Sequence, residues 1–199
     1  IVDRAESILT VSNTSSVTAK TLVSKGSNLT DSVMIYLNQL GDIELSGIRG
    51  VNGDVRLAKA RDSSAFFTSL KVRDSSFSSD AFQLVTTNTI QCGKLELDDV
   101  EISGSWGSIY VGGLISDIVI DGGEYQTDRS SPANPILYTT SVDLLKIGGG
   151  VTFNDDRTTL SGGFGLRIEG VDKLVMGELD YNSVDTGFAS TMRFRGANT

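Results

Sequence analysis

From Ile43 onward the chain repeats one pattern. Apolar residues alternate with polar ones, a short polar turn follows, and a second apolar landing closes the unit. Leu95-Glu96-Leu97-Asp98-Asp99-Val100-Glu101-Ile102 and Ile118-Val119-Ile120-Asp121-Gly122-Gly123-Glu124-Tyr125 carry it most clearly. It returns at Leu70 to Phe77, at Leu145 to Phe153 and at Leu174 to Tyr181, with a weaker copy at Ile43 to Ile48. A period of two is the mark of a strand. First strands begin near Ile43, Leu70, Leu95, Ile118, Leu145 and Leu174. A second landing recurs at Val55, Phe82, Ile109 and Ile136 in steps of 27, with Phe164 following 28 later. The stretches between are filled with Gly, Ser, Thr and Asn and lack the 3.6-residue spacing of a crossover helix. One unit repeated without helices predicts an all-β fold, a parallel β-helix (solenoid) of about six to seven rungs of ~22–29 residues.

In such a coil each strand pairs with its counterpart one rung on, at ~4.8 Å, and inward side chains stack in columns. The expected columns are Ile43–Leu70–Leu95–Ile118–Leu145–Leu174, then Leu45–Val72–Leu97–Ile120–Ile147–Met176. After the bend comes an aromatic-rich ladder, Phe77–Ile102–Tyr125–Phe153–Tyr181. Asp74-Ser75, Asp99, Gly122-Gly123, Gly148-Gly149-Gly150 and Gly177 fall at the bend, where glycine gives unusual backbone angles and Asp or Ser bonds the local backbone. Gln126 to Pro135 and Asn154 to Gly163 read as loop insertions. Residues 1–41 are expected to be an N-terminal entry or capping segment and 42–199 the β-helix. Within the first part, Leu29 to Leu40 fits either a capping helix or an irregular rung with Val33, Ile35 and Leu37 at strand spacing. The start at Ile1 reads as a piece of a longer protein.

Composition narrows the chemistry. A net charge of −8 on 199 residues argues against a nucleic-acid groove. The absence of histidine removes the usual acid–base side chain and histidine metal sites, and the single Cys92 allows no internal disulfide. Cys92 is expected as a small buried hydrophobe. No apolar run approaches the ~20 residues of a membrane helix, and no signal peptide opens the chain. No cofactor and no metal are expected; a calcium site from Asp128, Asp155 and Asp156 lacks the spacing of a calcium loop, and Asn154-Asp155-Asp156 reads as a turn.

Outward columns are left for function. Glu44–Lys71–Glu96 and Arg73–Asp98 alternate in sign, which parallel neighbours tolerate well. Asp98 with Asp121, and Glu101 with Glu124 around the bend, repeat the same sign on adjacent rungs. Close carboxylates resist double ionisation and so provide an acid and an ionised partner. Glycoside hydrolysis requires such a pair, ~5–5.5 Å apart for retention or ~6.5–9.5 Å for inversion. Asp98, Asp121, Glu101 and Glu124 are therefore the candidate catalytic residues. Trp106, Tyr110 and Arg73 are the candidate substrate contacts, with open glycine backbone at Gly148-Gly149-Gly150 beside them.

These rungs, without histidine or disulfide, resemble the right-handed β-helix of bacteriophage tailspikes and tail fibres. The resemblance covers about Ile43 to Tyr181 and is architectural, with no diagnostic motif. It implies a homotrimer on the virion that binds, and in hydrolytic members cleaves, a bacterial surface polysaccharide. It implies no nucleic acid and no membrane insertion. Two other readings stand beside it: a structural shaft segment without ligand, and a secreted bacterial β-helix, either a pectin-active enzyme or an autotransporter passenger.

Overall fold

The computed structural model describes residues 9–12, 16–19, 22–25, 35–38, 42–51, 55–56, 66–78, 82–83, 91–104, 109–110, 114–127, 135–156, 165–183 and 192–196. Within them every regular element is a strand and every pairing is parallel. Fifteen strands join one sheet. The sheet is curled, an arrangement consistent with a coiled solenoid. Registers step by 23 residues at Leu95↔Ile118 and by 29 at Leu137↔Leu166.

The sheet divides into three strips. A leading strip stacks Ile109–Tyr110, Leu137–Thr139, the first half of Leu166–Met176, and Met192–Gly196. A middle strip stacks Ser16–Ala19, Asp42–Ser46, the first parts of Phe66–Ser78 and Gln91–Gly104, then Leu114–Asp121, Val142–Ile147 and the second half of Leu166–Met176. A trailing strip carries Leu22–Lys25, Ile48–Val51, the ends of the two long strands, then Glu124–Thr127, Val151–Asp155 and Leu179–Ser183.

The three apolar columns expected from alternation pair in the expected register. Val72, Leu97, Ile120 and Ile147 are wholly buried, and Phe77, Tyr125 and Phe153 are the largest fully buried side chains. The Tyr125 and Phe153 rings lie 5.6 Å apart, tilted by 35°. Burying such side chains is worth ~1.5–3 kcal/mol each, which offsets the ordering of the short strands.

The bend between middle and trailing strips has a backbone cause. Gly47, Asp74, Asp99 and Gly122 follow the in-register row Ser46–Arg73–Asp98–Asp121. All four have positive φ, from 49° at Asp74 to 66° at both glycines. Asp is among the few residues that adopt this left-handed conformation at modest cost. Gly123, at φ 88°, is obligatory for a second reason: a Cβ there would collide with the Val100 backbone.

Two expectations are corrected. The landing column does not run Ile109–Ile136. Ile109 pairs with Leu137, and Leu137 with Leu166, so a fixed step of 27 slips by one where the true steps are 28 and 29. Gln126 and Thr127, and Asn154 and Asp155, are not loop residues but the ends of Glu124–Thr127 and Val151–Asp155. Asp155 faces inward and is fully buried. Of the two readings of Leu29 to Leu40, its described part, Ile35–Asn38, is a strand paired with Leu9–Ser12. Phe164 and Asp128 lie outside the described residues, and of Cys92 only the strand backbone is described.

Candidate functional site

The outer face of the middle strip is a ladder of charges. Lys71 Nζ donates to Glu96 Oε1 at 2.6 Å and lies 3.5 Å from Asp98 Oδ2; Lys94 Nζ reaches Glu96 Oε2 at 2.7 Å. Arg73 turns to Glu44 at 2.7 Å. The expected Glu44–Lys71–Glu96 alternation is thus present in the register. Lys71 and Glu96 pair directly across the register, and two further ion pairs run along its diagonals, with Asp98 taken by Lys71 and Arg73 by Glu44. The hydrogen bond from Lys71, reinforced by Lys94, holds the Glu96 carboxyl below its ordinary range, and the same bond raises Lys71.

The four candidate carboxylates stand as two in-register pairs flanking the bend. Asp98 and Asp121 are partners on the middle strip, and Glu101 and Glu124 on the trailing strip. Neighbouring strand backbones are ~4.8 Å apart. Asp98 is half-buried, whereas Asp121, Glu101 and Glu124 are exposed. The next position in the Asp121 row is Gly148, which is buried beneath the Asp121 carboxylate; a Cβ there would strike it. Gly149 and Gly150 are exposed with open space where their Cβ atoms would stand, so bare backbone borders Asp121. Under the bend the Tyr125 hydroxyl is buried with no hydrogen-bond partner, and burial, with Asp99 and Asp98 adding to it, pushes its pKa up.

On the trailing strip the outer face changes from charge pairs to amides. Asn154 Nδ2 donates to Glu124 Oε1 at 2.6 Å, and Asn182 Nδ2 donates to Asn154 Oδ1 at 2.9 Å. Gln126 Nε2 donates to Asp156 Oδ2. Inside, Tyr181 Oη donates to buried Asp155 Oδ2 at 2.9 Å. Among the described residues no group of three or more potential metal ligands is found, and no helix is long and apolar enough to cross a membrane.

Of the expected substrate contacts, Arg73 is exposed on the middle strip beside Asp98 in register. Tyr110 lies on the leading strip, paired with Tyr138; its side chain, and Trp106 altogether, lie outside what is described. Sequence reasoning missed the outer face of the leading strip. There Tyr138, Arg167 and Arg193 occupy one row, and Glu169 accepts from the Nε atoms of both arginines, at 3.1 and 3.2 Å. The signal was present once Leu137 and Leu166 are aligned, because the residue after each then falls in one outward row.

The chain matches no family model, and no curated protein sequence or solved structure is significantly similar to it.

Proposed function

We infer that the chain is a segment of a right-handed parallel β-helix of six to seven rungs, part of a phage tailspike or tail fibre. In this reading it acts as a homotrimer on the virion and recognises a bacterial cell-surface polysaccharide. The observation that carries this reading is the pair of same-sign carboxylate steps, Asp98/Asp121 and Glu101/Glu124, beside bare backbone at Gly149 and Gly150. Stacking explains inward apolar residues and opposite-sign pairs; it does not explain like charges in register, which repel. Carboxylates accept hydrogen bonds strongly, and sugar hydroxyls donate them. The amide row Gln126–Asn154–Asn182, tied to Glu124 by a diagonal hydrogen bond from Asn154, extends the same polar face. If a bound chain is cleaved, the chemistry is glycoside hydrolysis, with one carboxylate as acid and its neighbour as base or nucleophile.

The test is incubation with capsular and O-antigen polysaccharides, scoring binding and reducing-end release for the parent, Asp98→Asn and Asp121→Asn. Release that falls at least a hundredfold in either variant assigns hydrolysis to this pair. Release unchanged in both removes the pair from the mechanism. A shaft without ligand is the second reading, favoured by Val119, Leu144 and Val175, which face outward on the middle strip among its charged residues. Absence of binding to any polysaccharide, together with a trimer in solution, selects the shaft.

A further inference from the structure

We propose that the leading strip carries a subsite for an anionic sugar, with Arg167 and Arg193 as its anion-binding groups and Tyr138 as its aromatic flank. This rests on the glycan reading above and adds to it the charge of the ligand and a second face of the molecule.

The chain is acidic overall; the trailing strip carries the in-register carboxylates Glu101 and Glu124, and on the middle strip Lys71, Lys94 and Arg73 are engaged by Glu96, Asp98 and Glu44. Like charge on the trailing strip repels an anionic polysaccharide. The leading strip reverses the sign. Arg167 and Arg193 are partners on adjacent strands, and Arg195 is in register with Glu169. Two arginine side chains thus meet one carboxylate, a local excess of positive charge in a chain of net charge −8.

The guanidiniums are also held in place. Arg167 lies over the Tyr138 ring, 5.0 Å from its centroid. Its Nε and Nη2 donate to the two oxygens of Glu169 at 3.1 and 3.2 Å, and Arg193 Nε reaches Glu169 Oε1 from the next strand. Glu169 is the more buried member, with 14% of its side chain exposed, against 36% for Arg167 and 39% for Arg193. A largely buried carboxylate between two partly exposed arginines acts as a clamp: it fixes the planar forks while each arginine keeps more than a third of its side chain exposed. A guanidinium has five N–H donors in a geometry that suits carboxylate and sulfate oxygens, and rigid placement lowers the entropy lost on binding. Both Nε atoms contact the same oxygen, Glu169 Oε1, at 3.1 and 3.2 Å, which brings the two forks close enough for a single anionic group to bridge them. The aromatic ring beside them offers an apolar face to the sugar. Gly170, at φ 63° and tight against the Thr140 carbonyl, turns the chain directly after Glu169 into the middle strip, so the subsite sits at a corner.

The test measures binding of acidic and neutral capsular polysaccharides to the parent protein, with each acidic one repeated after carboxyl reduction or desulfation. Acidic chains should bind more tightly, lose that advantage when neutralised, and weaken as salt rises. Arg193→Gln should weaken acidic binding about tenfold and leave neutral binding alone. Glu169→Gln, which keeps an oxygen acceptor to hold the forks while removing the competing negative charge, should strengthen it several-fold; a purely structural role for Glu169 gives no gain. Thermal unfolding of each variant checks that the fold is retained. Carboxyl reduction separates uronate-type from sulfated ligands. Acidic binding indifferent to Arg193→Gln, or polyphosphate bound as tightly as polysaccharide, overturns the subsite while leaving the glycan reading standing. Binding of no polysaccharide overturns both.

Discussion

Leu145 and Leu174 are the same residue in the same inward column on adjacent strands, yet one is wholly buried and the other 37% exposed. Ile147 and Met176, one step along, differ in the same way, at 0% and 39%. Side-chain type and alternation are alike in the two strands. What differs is the neighbour: among the described residues Val142–Ile147 is flanked on both sides, whereas past Val171 the strand Leu166–Met176 is covered only by Val142–Ile147. The first half of that strand, paired with Met192–Gly196, buries Leu166 and Ile168. Burial in this architecture is therefore conferred by the next strand and not by a residue's own hydrophobicity.

The comparison can be broken by paired truncation. Leu145→Ala should cost ~2–5 kcal/mol, the range for cavities left by large-to-small changes in a core. Leu174→Ala should cost no more than about 1 kcal/mol, since much of its surface already meets water. Chemical denaturation midpoints measure both; equal losses would mean that the edge at Leu174 is covered in solution.

Tyr181→Phe, on the last trailing strand, removes the hydroxyl that donates to buried Asp155. Leaving that carboxylate short of a donor should cost about 1–3 kcal/mol, more than edge truncation of a similar side chain. The smallest effect belongs to the exposed ladder of the middle strip. Glu96→Gln should cost about 0–1 kcal/mol at neutral pH. The Glu96 carboxyl is held below its unfolded value by Lys71 and Lys94. Its contribution is therefore present above pH ~4.3 and is lost as pH falls through the depressed folded value. The acid limb of a stability–pH curve should be flatter in Glu96→Gln than in the parent.

Much of the inner architecture was legible in the sequence because alternation and stacking impose it. A strand that points Leu95 and Leu97 inward must oppose Ile118 and Ile120, and both rows carry the pattern on their face. The landing column slipped because counting assumed a constant step, while pairing tolerates 28 or 29 residues when a loop absorbs the extra. That slip also hid the Tyr138–Arg167–Arg193 row, which appears only in correct register. Asp155 was misread as a turn residue because its chemistry suits turns. Its place in the run Val151–Phe153–Asp155 marks it as inward, and the partner that makes burial tolerable, Tyr181, is 26 positions away. Arg73 and Asp98 were correctly placed side by side, but side-chain length let each choose a diagonal partner.

The narrow spread of register steps, 23 to 29 residues, has a consequence for chain entropy. Each pairing closes a loop of nearly the same length, and the cost of closure varies only with the logarithm of that length. A twelfth strand added to such a sheet is no harder to close than a second. Folding is then a sequence of equal additions in which distance along the whole chain carries no penalty. Turns can be gained or lost in evolution without renegotiating the core, and the outward rows can diverge in chemistry from one strip to the next.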